Sequence, residues 1–289
     1  MMAYKIITDS CCDFTKQQYE ELGLTYAPLT LLYKGESFDS FTEPDELHAF
    51  YDGIRGGEMP TTSAVNPEGW ASVMRPVLEE GKDVLCLVFT SALSTTYQSA
   101  VIAAEELKEE FPHRTIQVID TLCAARGQGL LVWHACKRRD AGMSLEALTA
   151  WVEENKHHLC HWVTVDDLNH LKRGGRVSAT TALVGGLLNI KPIIHLDVNG
   201  KLDTIGKVRG RKAAIELLSN KVAELGEGYD NETVFVAHGD CPEDAEVLAG
   251  LIKAKCPFVK NVLIGYVGGV IGAHTGPGVL VSFFLGKEK

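Results

Sequence analysis

The sequence lacks any run of the roughly 18 uncharged apolar residues that a membrane span needs. It has no internal repeat and no low-complexity tract. Its first residues, MMAYKIITDS, carry neither a basic nor an apolar leader pattern, so no signal peptide and a cytoplasmic location are expected. It has no G-x-x-x-x-G-K-[ST] loop and no G-x-G-x-x-G after a strand, and nucleotide binding of those kinds is unsupported. Net positive charge is missing too. The balance is −10, which argues against general nucleic-acid binding. Cysteine is present eight times but never as C-x-x-C, which favours buried free thiols in a reducing compartment. The adjacent Cys11 and Cys12 have no second pair to complete a redox or metal site. His157, His158 and His161 lie close together without a carboxylate or cysteine at ligand spacing; they read as surface, and no metal is expected.

What is present is a chain of 289 residues, 45% apolar, long enough for two domains. Residues 84–107 organise it. Val84 to Phe89 is an apolar run with β-branched residues, the pattern of a strand covered on both faces. From Tyr97 the pattern becomes helical. Between them stand Ser91, Ser94, Thr95 and Thr96. Hydroxyls at such a strand-to-helix turn can cap the helix, or join its free N–H groups in holding an anion.

A first strand is expected at 4–7, followed by a helix through Tyr19 and Leu22 capped by Ser10 or Asp13. A second strand is expected at 25–32 and a helix from Pro44. Residues 59–68 read as a loop, with Asn66 and Pro67 opening a helix. Further strands and helices alternate to residue 155, implying a mostly parallel sheet with helices on both faces. The hydroxyl-rich turns at 8–10, 61–63 and 91–96 would lie at its carboxyl ends, where ligands sit in such sheets. After residue 158 the pattern changes. Asn199-Gly200 predicts a two-residue hairpin between strands at 191–197 and 201–208. Helices are expected at 211–225 and 242–255, with strands at 233–237, 262–266 and 279–284. The fold class is therefore α/β, with an N-terminal domain over 1–158 and an α+β domain over 159–289. Whether the last strand returns to the first domain is left open.

Two basic residues stand out. Arg176 follows Gly174-Gly175, a setting that suits either a carboxylate or phosphate contact or a solvated basic turn. His274 lies in a glycine-dense stretch and suits either a structural or a functional histidine. Ser94 with His274 as nucleophile and base would make a hydrolase, although the G-x-S-x-G elbow is absent around Ser94.

These residues fall in an ordered set of motifs. They are Ile7-Thr8-Asp9-Ser10, Pro60-Thr61-Thr62-Ser63, Ser91-x-Leu93-Ser94-x-Thr96-Tyr97, Asp166-Asp167-Leu168, Gly174-Gly175-Arg176, Lys191-Pro192 and Gly272-Ala273-His274-x-Gly276-x-Gly278. Over nearly the full length the sequence resembles the DegV family of bacterial fatty-acid-binding proteins. The resemblance implies two domains with a long-chain fatty acid, such as palmitate, between or within them. It implies that Thr62 and Ser94 hold the carboxylate, with Ser63, Thr95, Arg176 and His274 in the ligand-binding set. Arg176 and His274 would stand near the head group and serve docking or phosphoryl transfer. The protein would be non-catalytic by itself and need no cofactor. It would present its fatty acid to a separate ATP-using fatty-acid kinase subunit, yielding an acyl phosphate, with transient membrane contact. A lipid sensor or transporter without a kinase is the alternative. Two departures from the family pattern stand out: Ala64-Val65 replace the usual Gln-Pro, and Thr95 replaces a glycine.

On that reading the chain supplies affinity. Fourteen buried methylenes at roughly 0.8 kcal/mol give about 11 kcal/mol before ordering costs. Head-group hydrogen bonds add about 1–3 kcal/mol each and fix orientation. The apolar residues 179–188 are expected to line the tunnel or to be plain core.

Overall fold

The computed structural model describes residues 4–178 and 189–287. The expected helix at 180–188, and its proposed place on the tunnel, lie outside the described residues. In chain order the elements begin with β1 (Tyr4–Asp9), α1 (Lys16–Glu21), β2 (Thr25–Ala27), β3 (Thr30–Tyr33), β4 (Glu36–Asp39), α2 (Pro44–Arg55) and β5 (Thr61–Ser63). They continue with α3 (Pro67–Glu79), β6 (Asp83–Val88), α4 (Thr96–Glu110), β7 (Ile116–Asp120), α5 (Ala125–Asp140) and α6 (Leu145–Asn155). Next come β8 (Leu159–Thr164), α7 (Asn169–Arg173), β9 (Ile190–Leu196), β10 (Leu202–Arg209), α8 (Arg211–Leu225) and β11 (Thr233–His238). The last are α9 (Pro242–Lys255), β12 (Asn261–Tyr266), α10 (Gly269–Thr275) and β13 (Leu280–Leu285).

β1, β2, β6 and β7 form a parallel sheet in the order β2-β1-β6-β7. Side chains alternate across a strand, and here both faces are covered. Ile6, Leu85 and Leu87 join one core cluster with α5 and α6, while Ile7, Val84, Cys86 and Val88 join another with α3 and α4. The second sheet is mixed and mostly antiparallel, ordered β10-β9-β8-β13-β11-β12. The last strand therefore sits inside this sheet, between β8 and β11. α8 and α9 cover its outer face through Leu218, Val222, Leu248 and Ile252. α5 lies between the two sheets, which is why its residues are buried almost all round. The architecture is thus a parallel α/β sheet flanked by helices plus a second, mostly antiparallel sheet domain.

Several local expectations are corrected. Neither Ser10 nor Asp13 caps α1. Asp9 caps a short 3-10 turn at Ser10–Cys12, and Thr15 caps α1 in a reciprocal box with Gln18. The single strand at 25–32 is broken at Pro28, which has no N–H to give a ladder. β2 stays in the parallel sheet, while β3 leaves it to pair with β4 and β5 in a small antiparallel sheet. Residues 61–63 are accordingly not a loop at the end of a parallel strand. They are β5, with Thr62 in register with Leu31. The hairpin at Asn199-Gly200 has a three-residue turn, because Asp197 N–H donates to the Lys201 carbonyl at 2.8 Å. His161 is not on the surface: all six residues of β8 are buried.

Candidate functional site

A cavity of about 450 Å³ opens between β5, the hydroxyl-rich turn before α4 and the second sheet; the turn at 8–10 does not line it. All six residues singled out in the sequence, Thr62, Ser63, Ser94, Thr95, Arg176 and His274, line it. Ser63 and Thr95 are exposed and the other four half-buried, so this polar group forms the mouth. The rest of the wall is largely apolar, with Leu29, Phe89, Leu196 and Leu202 among it.

At the mouth, β5 presents Thr62 to α10. Thr62 Oγ1 and His274 Nε2 are 2.8 Å apart. Burial, then Arg176 and Arg173, push His274 down to about 4, so its ring is neutral at pH 7 and has one N–H. His274 Nδ1 is buried without a hydrogen-bond partner among the described residues. A bare acceptor is cheaper to strand than an N–H, which places the proton on Nε2, donating to Thr62. The Thr62 hydroxyl proton is then available to the cavity. A side chain at Gly174 would put its Cβ 2.2 Å from His274 Nδ1, so the backbone there leaves the space the ring fills.

Ser94 caps and lines the cavity at once. Its Oγ accepts from Thr96 N–H at 3.2 Å and lies 2.8 Å from Thr96 Oγ1, whereas Thr95 makes no side-chain cap. If Thr96 donates to it, Ser94 also keeps a free O–H. Arg176 Nε and Nη2 donate to the Leu93 carbonyl at 3.3 and 3.1 Å, and Nη1 donates to Gly174. The guanidinium thereby ties the turn before α4 to the turn after α7. It has no ion pair among the described residues, and burial lowers its pKa without discharging it. Ser94 bonds to Thr96 and His274 to Thr62. Among the described residues no hydrogen bond joins Ser94 to His274, and the hydrolase alternative has no nucleophile–base contact.

The depth of the cavity was not legible beforehand. Val163 and Val281, and His161 and Phe283, are cross-strand pairs of β8 and β13, and all four line it. His161 Nε2 accepts from Ala124 N–H at 3.1 Å, and its Nδ1 lies 3.1 Å from the Leu159 carbonyl. That satisfied ring meets Phe283 edge to face with centroids 5.3 Å apart. A histidine inside a strand buried on both faces could have been read as inward-facing. Ser91 and Thr275 also line the cavity. The tip of the β9–β10 hairpin closes one side: the Gly200 carbonyl accepts from Thr90 Oγ1 at 3.2 Å, and a Cβ at Gly200 would meet that oxygen at 2.2 Å.

With this geometry in view, comparison with known proteins is decisive. The family described as "Uncharacterised protein, DegV family" matches residues 3–287. The chain belongs to the DegV family. A DegV domain-containing protein of Clostridium perfringens is 43% identical over 100% of this chain and 99% of its own length. A DegV protein of Thermus thermophilus, solved as a fatty-acid-binding protein, superimposes with TM-score 0.85 at 33% identity, covering 99% of this chain and 100% of that one. A DegV lipid-binding protein of Thermotoga maritima gives 0.85 at 30% identity, with 100% of both chains covered.

None of the eight cysteines forms a disulfide, and seven of them are buried. Among the described residues no helix is long and apolar enough to cross a membrane. One group of possible metal ligands occurs there, His48, Asp52 and Asp240, but Arg55 already bonds both aspartates.

Proposed function

We propose that this DegV-family chain binds one long-chain fatty acid in the 450 Å³ cavity. One observation carries the reading: a single cavity joins a mouth of hydroxyls and a guanidinium to an apolar depth. The fatty-acid and lipid binding of the Thermus and Thermotoga relatives supports it. Thr62 and Ser94 donate their hydroxyl protons to the carboxylate. Arg176 supplies positive charge beside it, His274 orients Thr62, and Ser63 and Thr95 flank the entrance. The acyl chain runs toward the Val163–Val281 and His161–Phe283 pairs. The two units are 1–158 and 159–289, each contributing one wall.

The protein acts without chemistry of its own. It presents the bound carboxylate at the mouth to a separate ATP-using kinase subunit. There a carboxylate oxygen attacks the γ-phosphorus, the bond to ADP breaks, and an acyl phosphate forms. Eight cysteines without a disulfide suit a reducing cytoplasm, with ligand collected by transient membrane contact. Native mass spectrometry of the protein as purified tests the binding. A stoichiometric adduct that denaturing extraction releases as a fatty acid is the expected result. A clean apo mass that also fails to take up added fatty acid overturns it. Acyl-phosphate formation on adding a fatty-acid kinase subunit and ATP tests the second half.

A further inference from the structure

A second cavity, of about 240 Å³, shares no lining residue with the first. It lies where the turn after β1, the first turn of α5 and the ends of β11 and β12 meet. Three ionisable side chains in its wall are almost fully buried: Asp13 at 3%, Arg126 at 2% and His238 at 3% exposure. Each has hydrogen-bonding capacity that the protein leaves unused.

The Arg126 guanidinium lies between the rings of Phe14 and Phe235, at 5.7 and 5.2 Å from their centroids. Its Nη1 donates to the Asp13 carbonyl at 2.9 Å and reaches Gln18 Oε1 at 3.5 Å. Its Nε has no partner, and no carboxylate forms an ion pair with it among the described residues. The Gly268 N–H faces the Asp13 carboxyl, which has no other hydrogen-bond partner among the described residues. His238 Nδ1 accepts from Cys241 N–H at 3.3 Å, which leaves Nε2 as the N–H of the neutral ring. The other polar groups of the wall are engaged. Thr15 and Gln18 cap each other, Thr42 bonds to Glu43, and Tyr266 donates to Asp240 at 3.1 Å.

Arginine is always charged, and a buried charge without a partner is costly. Burial pushes the Asp13 carboxyl up to about 8, so near pH 7 it is chiefly the neutral acid and a donor. Burial pushes His238 down to about 4, so it adds no charge. One fixed positive charge and three open donors facing one small space are complementary to an anion with several acceptor oxygens. A cation would add to the charge of Arg126. At about 30 Å³ per water the space holds roughly eight waters, or one small ion with a few.

We propose that this cavity is a second binding site, for a small oxyanion of the carboxylate or phosphate class, held by Arg126, His238 and Asp13.

The test is calorimetric titration of the full chain with sodium acetate and with sodium phosphate. Chloride is the background anion, and methylammonium chloride is the cation arm. One of the two oxyanions should saturate at one per chain and so name the ligand class. Arg126→Met, which keeps the packing between the two rings, should weaken it by at least about tenfold. Asp13→Asn, which keeps a donor and tolerates the left-handed backbone at this position (φ 53°), should retain it within about threefold. Thr62→Ala should leave it unchanged, which separates this site from the mouth of the main cavity. If circular dichroism shows Arg126→Met unfolded, His238→Phe takes its place, with at least about threefold weakening expected. The proposal is overturned if neither oxyanion saturates. It is equally overturned if binding survives the Arg126 or His238 change, or follows Thr62 instead. Methylammonium binding where the oxyanions fail would also sink it, making ionised Asp13 the recognising group.

Discussion

The two ends of the main cavity are built in opposite ways. Its mouth gathers Thr62, Ser94, Arg176 and His274 from a short edge strand, two turns and a seven-residue helix, linked by a handful of hydrogen bonds. Its depth stands on two neighbouring cross-strand pairs in the middle of a six-stranded sheet, where even the histidine has both nitrogens matched. A stiff apolar depth can set which chains fit. A mouth held by few bonds can orient a head group and still open it to a partner. On the proposed function, affinity and presentation would fall to different parts of one cavity.

The largest effect should come from breaking the depth. Val281→Asp would put an unpaired charge into both the cavity and the core, at a cost of several kcal/mol. We expect loss of fatty-acid binding beyond about 100-fold together with a marked fall in melting temperature, read by calorimetry. Next comes the ligand itself. Shortening it by two methylenes should cost about 1.6 kcal/mol, roughly 15-fold in affinity. Thr62→Ala should cost about tenfold and shift the carboxylate resonance of ¹³C-labelled ligand. Near-equal affinity for both chain lengths, alongside a larger loss in Thr62→Ala, would reverse the assignment of affinity to the depth. Smaller still, Gly174→Ala should displace the His274 ring without altering its chemistry. A loss of about threefold is expected, with kinase-coupled turnover falling more than affinity.

The smallest effect is on stability and lies at neither end. Asp13 keeps its proton to about pH 8 when folded, while an unfolded aspartate has lost it by about pH 5. The folded state then binds more protons, so stability falls as pH rises toward 8. His134, His238 and His274, each pushed down to about 4 chiefly by burial, act in the opposite sense only at lower pH. Between pH 7 and 8 the wild type should therefore melt progressively lower, and Asp13→Asn should remove the Asp13 share of that slope; above pH 8 the thiols, whose pKa burial raises, add a fall of their own. His48, held charged longer by Asp240, leaves a small residue of the slope below pH 8.

Elements with strong periodicity and good caps were legible in the sequence. The helices at 211–225 and 242–255 carry the expected bounds, as a glycine before Arg211 and Pro242 mark them. What escaped depends on partners distant in sequence. Thr61–Ser63 is a strand because Leu31 and its neighbours pair with it. Gly269–Thr275 is a helix although glycine disfavours one, because Gly272 leaves room for Tyr51, where a Cβ would meet the phenol oxygen at 2.5 Å. The mouth residues were identifiable by motif. The depth was not, since Val163, Val281 and Phe283 look like any other core residues.

The position of β13 also bears on how the molecule comes into being. It pairs with β8 on one side and β11 on the other, yet it leaves the ribosome after both. Until it arrives, the second sheet is split, with two unpaired edges, and the cleft that becomes the cavity has lost one wall. Apolar side chains there are exposed throughout synthesis, when aggregation is the competing fate. Closure of the sheet is thus a late, long-range step, and the expected kinetics are slow folding for a chain of this size. If the chain binds fatty acid as proposed, a ligand already resting in the half-built cleft would cover that surface and could act as a template for the last strand.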